Sequence, residues 1–158
     1  MNRADGRVVV GGCGRSTCNP LWRAVDNQNF FDGSPAVANG RVYIGLESEV
    51  GVYAASGCGR STCTPLWMDF AAGSQAAIVS SPTVANGVVY VGRNTGEVLA
   101  WPAASCGQSV CQSIWSGPTG DPIVSSSPTV VNGKLYIGSA DNLFPENTQG
   151  RLYVFALR

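Results

Sequence analysis

The chain has 158 residues, which is enough for one domain with a core but not for two comfortable ones. Only 13% of the residues are charged, and ten Lys and Arg balance ten Asp and Glu, so no net field is available to attract nucleic acid or an anionic membrane. The absence of histidine removes the most common general base and metal ligand, which weakens every enzyme hypothesis.

In chain order, the first predicted strand is RVVVG at 7–11, which follows a start without the apolar core of a signal peptide. A two-cysteine loop and a short strand ending in tryptophan come next, in the segment GCGRSTCNPLW. Nearly the same segment returns as GCGRSTCTPLW and, more loosely, as SCGQSVCQSIW. The three copies end at Trp22, Trp67 and Trp115.

Hairpin signals lie between these copies. SPTVA at 81–85 and VVYVG at 88–92 flank Asn86-Gly87, and a two-residue Asn-Gly turn favours a β-hairpin because both positions tolerate positive φ. EVLAW at 97–101 predicts a third strand, and a fourth surrounds SIW at 113–115. Each complete repeat is therefore expected to contain four short strands.

The repeat has a period of about 47 residues, because Ser-Pro pairs recur at intervals of 47 and 46 and the Asn-Gly pairs keep the same spacing. We treat residues 1–158 as one domain. Its repeats span approximately 1–30 with strands three and four only, 31–76, 77–123, and 124–158 with strands one to three only.

The predicted strands VVYVG and RVYIG are apolar almost throughout, a pattern typical of strands that are buried on both faces. A four-stranded unit of this length, covered on both faces by copies of itself, is the blade of a β-propeller. The predicted fold is all-β, with about three and a quarter antiparallel blades in this chain.

The segment SSPTVANGVVYVGRNTGEVLAW, with SSSPTVVNGKLYIGS and GRLYVFAL, resembles the repeat of pyrroloquinoline-quinone (PQQ)-type β-propellers. This resemblance covers essentially the whole chain and implies the fold. It does not select a function, since similar blades occur in quinoprotein dehydrogenases, in an outer-membrane assembly scaffold and in secreted proteins of unknown role.

The predicted strands number thirteen, which is too few for a closed ring of four to eight blades. Self-association could close the ring, and a six-bladed homodimer is the first choice. In this dimer, the last three strands of one chain form a blade with the fourth strand from the first repeat of the other chain. Alternatively, further blades lie outside this chain, or the chain is a subdomain or engineered fragment that assembles into a propeller.

The six cysteines have two interpretations. A tetrahedral zinc site would require two loops to converge, and we expect the outer loops of neighbouring blades to point away from one another. Repetition instead favours one disulfide in each blade, which would pin the turn between its third and fourth strands and contribute about 2 kcal/mol. The predicted pairs are Cys13–Cys18, Cys58–Cys63 and Cys106–Cys111. Disulfides imply a secreted or periplasmic protein.

The tryptophans are predicted to pack blade against blade, since Trp22, Trp67 and Trp115 occupy the same place in each repeat. Trp101 departs from the repeat, where it takes the place of Ala55 or Phe155. Blade packing is its expected role, and contact with a ligand is the alternative.

Candidate sites are sought where the repeat is broken. The insertion at 139–150 offers oxygen ligands of the kind that calcium prefers, from Asp141, Asn142, Glu146 and Asn147, but a polar surface loop is the favoured explanation. Glu47 and Glu49 are expected to be solvated charges on a turn. Asp69 and Asp121 precede predicted first strands and could line a central channel.

Quinoprotein dehydrogenases of the resembling family hold calcium and the quinone with an Asp, Asn and Glu set and often a disulfide between adjacent cysteines. This sequence has no adjacent cysteine pair, so no catalytic, cofactor-binding or metal residue is carried over, and PQQ and calcium remain possible ligands only. The sequence favours a non-catalytic extracellular binding or scaffold module, with a protein or glycan partner and no nucleic acid or membrane span. The alternative is a fragment of a PQQ-dependent oxidoreductase.

Overall fold

A computed structural model of the chain describes residues 17–25, 31–69, 76–140 and 149–157. These ranges contain strands, turns and bends, and no helix that could cross a membrane is found in them. The strands are β1 (Arg23–Ala24), β2 (Phe31–Ala38), β3 (Arg41–Leu46), β4 (Glu49–Ala54), β5 (Thr62–Cys63), β6 (Trp67–Asp69), β7 (Thr83–Ala85), β8 (Val88–Arg93), β9 (Glu97–Pro102), β10 (Val110–Cys111), β11 (Trp115–Pro118), β12 (Thr129–Val131), β13 (Lys134–Ala140) and β14 (Gly150–Ala156).

The strands group into successive antiparallel blades. The second blade is ordered β2-β3-β4-β6, with β10 added beyond β6, and the third is ordered β7-β8-β9-β11. The fourth blade consists of β12, β13 and β14. Within the described ranges, the first blade is represented by β1. Four-stranded antiparallel blades are thereby confirmed where the repeat is complete.

The first two strands of each blade are joined by the predicted Asn-Gly turns. Asn39, Asn86 and Asn132 have φ values of 50°, 52° and 49°, and the glycine after each is also at positive φ. Two successive residues at positive φ give a turn whose twist matches that of the flanking strands. The local sequence is therefore sufficient to start each blade.

The predicted burial of the middle strands is also observed. β8 and β9 are almost entirely buried because neighbouring blades cover both of their faces. β13 instead alternates between buried and more exposed residues, because the described structure covers only one face of the fourth blade. The fourth strands β6 and β11 begin at Trp67 and Trp115, so the fourth strand of the third blade begins at the last residue of SIW and does not surround it.

The core consists of three clusters, each between two adjacent blades. Trp22 and Ala24 pack against Ile44, Leu46 and Tyr53 at the first interface. The second interface joins β3, β4 and Trp67 to β8 and β9, and the third joins β8, β9 and Trp115 to β13 and β14. The blades are thus held together by layers between them rather than by one central core.

The fourteen described strands differ from the thirteen predicted. RVVVG at 7–11 lies outside the described residues. Two strands that the sequence did not predict, β5 and β10, are formed by the cysteine loops.

Candidate functional site

The inner strands of successive blades are linked by a ladder of serine hydrogen bonds. The Ser34 N–H donates to Ser81 Oγ at 2.8 Å, and the Ser81 N–H donates to Ser127 Oγ at 3.0 Å. The Thr83 hydroxyl adds a bond to the Pro128 carbonyl in the same layer. The repeated Ser-Pro pair therefore fixes one blade against the next at the inner edge.

The serine before this pair acts within its own blade. Ser80 Oγ accepts the Gly92 N–H at 2.6 Å, and Ser126 Oγ accepts the Gly138 N–H at 2.9 Å. In the second blade the equivalent position is Gly33, at φ +69°, where an added Cβ would lie 3.2 Å from the Ser80 backbone. The Ser-Ser-Pro motif thus has a structural explanation that does not involve a ligand.

At the outer edge, each described cysteine loop crosses to the blade before it. β5 pairs in parallel with β1, with Thr62 opposite Arg23, and the Arg23 N–H donates to the Ser61 carbonyl at 3.0 Å. β10 pairs in the same way with β6, and the Met68 N–H donates to the Ser109 carbonyl at 2.9 Å. Each of these loops therefore extends the sheet of the preceding blade, a pairing that the sequence did not predict.

The disulfides rigidify these crossing loops. Cys58 pairs with Cys63 and Cys106 with Cys111, each with a Cα–Cα distance of 5.7 Å. Cys18 is also in a disulfide, but its predicted partner Cys13 lies outside the described residues. In the described ranges, no three Cys, Asp or Glu side chains come close enough to hold a metal ion.

Two of the repeated tryptophans pack against an aromatic residue of the following blade, and the third lies in the apolar cluster between its blade and the next. The rings of Trp22 and Tyr53 are 6.2 Å apart, and those of Trp115 and Phe155 meet edge to face at 5.5 Å. Trp67 belongs to the cluster that contains Trp101 at the second interface. The three tryptophans therefore lie at blade interfaces, as predicted for them.

Trp101 follows the repeat after all. In the strand register, Tyr53 lies opposite Val42, Trp101 opposite Val89, and Phe155 opposite Leu135. The counterpart of Trp101 in the second blade is consequently Tyr53, and the sequence alignment with Ala55 is wrong. Trp101 is fully buried and has no surface for a ligand in this arrangement.

Asp69 lies in a polar cluster between the second and third blades. It belongs to the outer strand β6 and is only 4% exposed, so it does not precede a first strand or line a channel. Burial raises the pKa of its carboxyl, while the indole N–H of Trp101 and the charge of Arg93 oppose this change. The indole is near enough to act on the carboxylate but does not meet hydrogen-bonding geometry.

Arg93 is buried beside this carboxylate and is paired on its other side. Its Nη1 lies 3.0 Å from Glu97 Oε1, whereas its Nε and Nη2 atoms are buried without a hydrogen-bond partner. Ser116 donates to the second oxygen of Glu97 at 3.1 Å. The ion pair and the serine hydrogen bond therefore lie within the third blade, and only the charge of Arg93 acts on Asp69 across the interface.

Asp121 is also occupied by structural contacts. Arg151 pairs with its Oδ2 atom, and the Tyr153 hydroxyl donates to the same oxygen at 2.9 Å. These hydrogen bonds, Arg151 first, lower the pKa of Asp121. The contact joins the third blade to β14, which is a role that the sequence did not reveal.

Of the remaining predicted candidates, only Glu47 and Glu49 lie in the described part of the chain. Glu47 is an exposed turn residue whose carbonyl accepts the Ile78 N–H, and Glu49 begins β4. The calcium candidates Asp141, Asn142, Glu146 and Asn147 lie outside the described residues. The calcium hypothesis for that insertion therefore stays a prediction.

Apolar surface concentrates at the two ends of the blade series. The leading face is the side of the second blade that points toward the first, and it is formed by Val37, Val42, Ile44 and Tyr53. The trailing face is the side of the fourth blade that points away from the third, and it is formed by Val131, Tyr136, Leu152 and Val154. The leading face carries a groove of about 380 Å³ that also includes Trp22 and Phe31.

Successive four-stranded blades, joined by layers between them and by a serine ladder at the inner edge, define this chain as a partial β-propeller. Comparison with solved structures supports this class. A computationally designed protein, Ika8, matches with a TM-score of 0.53 at 15% identity, over 78% of this chain and 32% of the designed one. A europium-containing methanol dehydrogenase matches with a TM-score of 0.56 at 15% identity, over 83% of this chain and 25% of the enzyme.

These likenesses establish the fold alone, because the identities are low. BamB from Moraxella catarrhalis, at 14% identity, a TM-score of 0.45 and coverage of 84% of this chain and 48% of BamB, is too distant to add to the argument. No family model and no curated protein sequence matches the chain. The chain spans about a quarter to a third of the length of the first two structures, and the PQQ-type family assignment stays a prediction.

Proposed function

We propose that the chain is a non-catalytic β-propeller module of the PQQ-like repeat type, which serves as a rigid binding or scaffold unit. The observation that carries this proposal is the crossing cysteine loop. Each described loop is closed by a disulfide and adds a strand to the preceding blade, as β10 does to β6. Such a loop holds neighbouring blades in a fixed relation, which is the property that a scaffold requires.

The chemistry of the acidic residues supports the same proposal. Asp121 is held by Arg151 and Tyr153, and Asp69 is buried between two blades. A general acid or base must reach a substrate proton directly or through one water. Asp121 is instead engaged in contacts between blades, and the Asp69 carboxyl is withdrawn from solvent.

The disulfides bear on where the protein works. Two intramolecular bridges in the described structure are compatible with an extracellular or periplasmic protein, because thiols of cytosolic proteins are kept reduced. We propose that the module acts in such a compartment, with a protein or glycan as its partner.

A titration with PQQ and Ca²⁺, followed by absorbance and thermal unfolding, tests the absence of catalysis. The scaffold proposal expects no saturable change in absorbance and no rise in Tm with either ligand. Saturable binding with stabilisation would favour a fragment of a quinone-dependent oxidoreductase and overturn the proposal. Calcium alone serves as the control for the insertion at 139–150.

A further inference from the structure

The trailing face exposes residues whose counterparts are buried in the complete blades. The strand register makes Leu152 the counterpart of Val50 and Val98, and these two valines are fully buried while Leu152 is 70% exposed. Val154 is 51% exposed, although its counterpart Val52 is fully buried. Uncovered apolar positions on a sheet that is otherwise layered indicate a missing neighbour.

The leading face also carries an exposed apolar side chain whose counterparts in the later blades are packed. Val37 corresponds by register to Val84 and Val130, which pack against the preceding blade. Val37 itself is 67% exposed beside the groove under Trp22. This face is therefore open at Val37, while Ile44 and Tyr53 are buried against Trp22.

The two faces are complementary because the second and third interfaces inside the chain are built from the same pair of surfaces. At the second interface, Tyr43, Val50 and Val52 of one blade meet the β8 and β9 residues of the next. The corresponding residues of the trailing face are Tyr136, Leu152 and Val154. On the other side of this interface, β8 and β9 contribute Val89, Val91 and Trp101. Their counterparts on the leading face are Val42, Ile44 and Tyr53.

We propose that a second copy of this chain covers the trailing face and completes the fourth blade. Its β1 segment would lie antiparallel to β14 as the absent fourth strand, and its leading face would pack on the trailing face. The register of β11 on β9, with Trp115 opposite Ala100 and Gly117 opposite Val98, places Trp22 of the second copy opposite Val154 and its Ala24 opposite Leu152. This inference rests on the proposed scaffold function and names its partner.

Two further contacts extend patterns that exist inside the chain. The serine ladder would continue between the two copies. The Ser127 N–H would donate to Ser34 Oγ of the second copy, as the Ser81 N–H donates to Ser127 Oγ within the chain. The first cysteine loop of the second copy would pair in parallel with β11. Its Thr17 would lie opposite Ser116, as Thr62 of β5 lies opposite Arg23 of β1. The contact is therefore continuous with established interfaces at both the inner and the outer edge.

The sequence also distinguishes β14 from the first segment of the chain as the partner of the Trp22 strand. Val50 and Val52 precede Cys58, the first cysteine of their loop, by eight and six residues. In the first repeat, the residues eight and six positions before the first loop cysteine are Asp5 and Arg7. Burying two charged side chains at such positions is costly, whereas Leu152 and Val154 of a second copy are apolar. The third-strand position beside the Trp22 strand is therefore filled more favourably by β14 of a second copy than by the first segment of the same chain.

A reciprocal pair of these contacts would close a ring. Each chain then supplies the second blade, the third blade and three strands of a fourth, and its partner supplies the last strand. Two chains give six blades, which lies within the four to eight that propellers contain.

Light scattering of the 158-residue protein over a concentration series tests the contact. The expected mass is twice 16.4 kDa. Leu152→Asp is expected to weaken the dimer by about tenfold or more, because a charge replaces a central apolar contact. Leu66→Asp is the matched control, since Leu66 is 49% exposed but belongs to neither end face, and it is expected to leave the dimer intact.

Mixing two disabled variants distinguishes this head-to-tail contact from other association. Leu152→Asp disables the trailing face and Val37→Asp the leading face, so neither variant should dimerise alone. A mixture retains one intact face of each kind and is expected to form a heterodimer. If Val37→Asp alone still dimerises, or if the mixture stays monomeric with both variants folded by circular dichroism, the proposal is overturned.

A cross-link checks the register directly. The double variant Ala24→Cys with Leu152→Cys should give a reducible covalent dimer, whereas Ala24→Cys with Leu66→Cys should not. A folded wild-type protein that is strictly monomeric would refute self-association and leave the scaffold proposal standing, with further blades of a longer chain as the covering element. PQQ binding by a dimer would refute the scaffold proposal alone.

Discussion

Asp69 is the acidic residue with the strongest physical conflict in the described structure. It is buried beside Arg93, and burial raises its pKa despite that neighbouring charge. Removing a carboxylate from water costs more than a partly satisfied partner returns. Ionised Asp69 therefore reduces the stability of the fold.

The pH dependence of unfolding follows from this sign. A carboxyl whose folded pKa is raised contributes stability that is fully present below its ordinary value of 3.8 and is lost as pH rises through the folded pKa. Asp69→Asn is expected to match the wild type at the acidic end and to become relatively more stable as the pH rises. Denaturant unfolding of both proteins across that range measures the difference, and a variant that loses ground toward neutral pH would show that attraction to Arg93 outweighs burial.

Gly117 is required by the packing of Trp115. A Cβ at this position would lie 2.3 Å from Trp115 Cη2 and 3.1 Å from the ring of Phe155. The two rings already meet edge to face, so neither can move without disturbing the other.

Gly117→Ala is therefore expected to lower the free energy of unfolding by about 1–3 kcal/mol, the usual cost of overpacking. Gly150→Ala is the matched control, because a Cβ there meets only ordinary contact at 3.7 Å. Thermal and denaturant unfolding measure both variants. Equal effects of the two substitutions would contradict the steric explanation.

At the scale of elements, the cysteine loops act between blades. The disulfide of each loop belongs to one blade, but the strand that the loop forms is paired with the blade before it. A short disulfide ring removes little entropy from the unfolded chain, so its main effect is to hold this crossing strand in place.

Removing one disulfide should consequently loosen a specific neighbour. Cys106→Ala with Cys111→Ala is expected to cost about 2 kcal/mol of stability and to speed exchange of the Met68 amide, which donates to Ser109. Cys58→Ala with Cys63→Ala should instead expose the Arg23 amide. Hydrogen exchange of both amides in both variants checks this, and equal loss at the two sites would indicate global destabilisation without a local clamp.

At the scale of the whole molecule, the proposed contact couples stability to concentration. If a second copy binds only the folded chain, dilution must lower Tm, because association stabilises by mass action. The wild-type Tm is expected to rise with protein concentration and that of Leu152→Asp to stay constant. A concentration-independent Tm in the wild type would contradict the coupling of folding to assembly.

Much of the fold could be predicted because its signals are local. The Asn-Gly turns need only two residues that tolerate positive φ, and Asn86 and Gly87 adopt it as expected. The bridge from Cys58 to Cys63 closes within six residues, and both ends lie in one loop. The tryptophans repeat at the same position in each blade, which indicated a shared packing role for Trp22, Trp67 and Trp115.

Other features could not be predicted because they depend on what a neighbouring blade presents. β5 and β10 are two residues long, carry no periodicity and exist only as partners of β1 and β6. The pairing of Asp121 with Arg151 spans thirty residues and crosses an interface. The place of Trp101 was misread because cysteine and turn spacing do not determine the strand register.

The sequence by itself determined the blade: its period, its four strands, its turns and its local disulfides. The tertiary structure decided how blades meet, through crossing loops, the serine ladder, the burial of Asp69 and the exposed apolar side chains of β14. The physical reason is that turns and short bridges close over a few residues at small entropic cost, whereas contacts between blades require surfaces that are assembled only when the chain has folded.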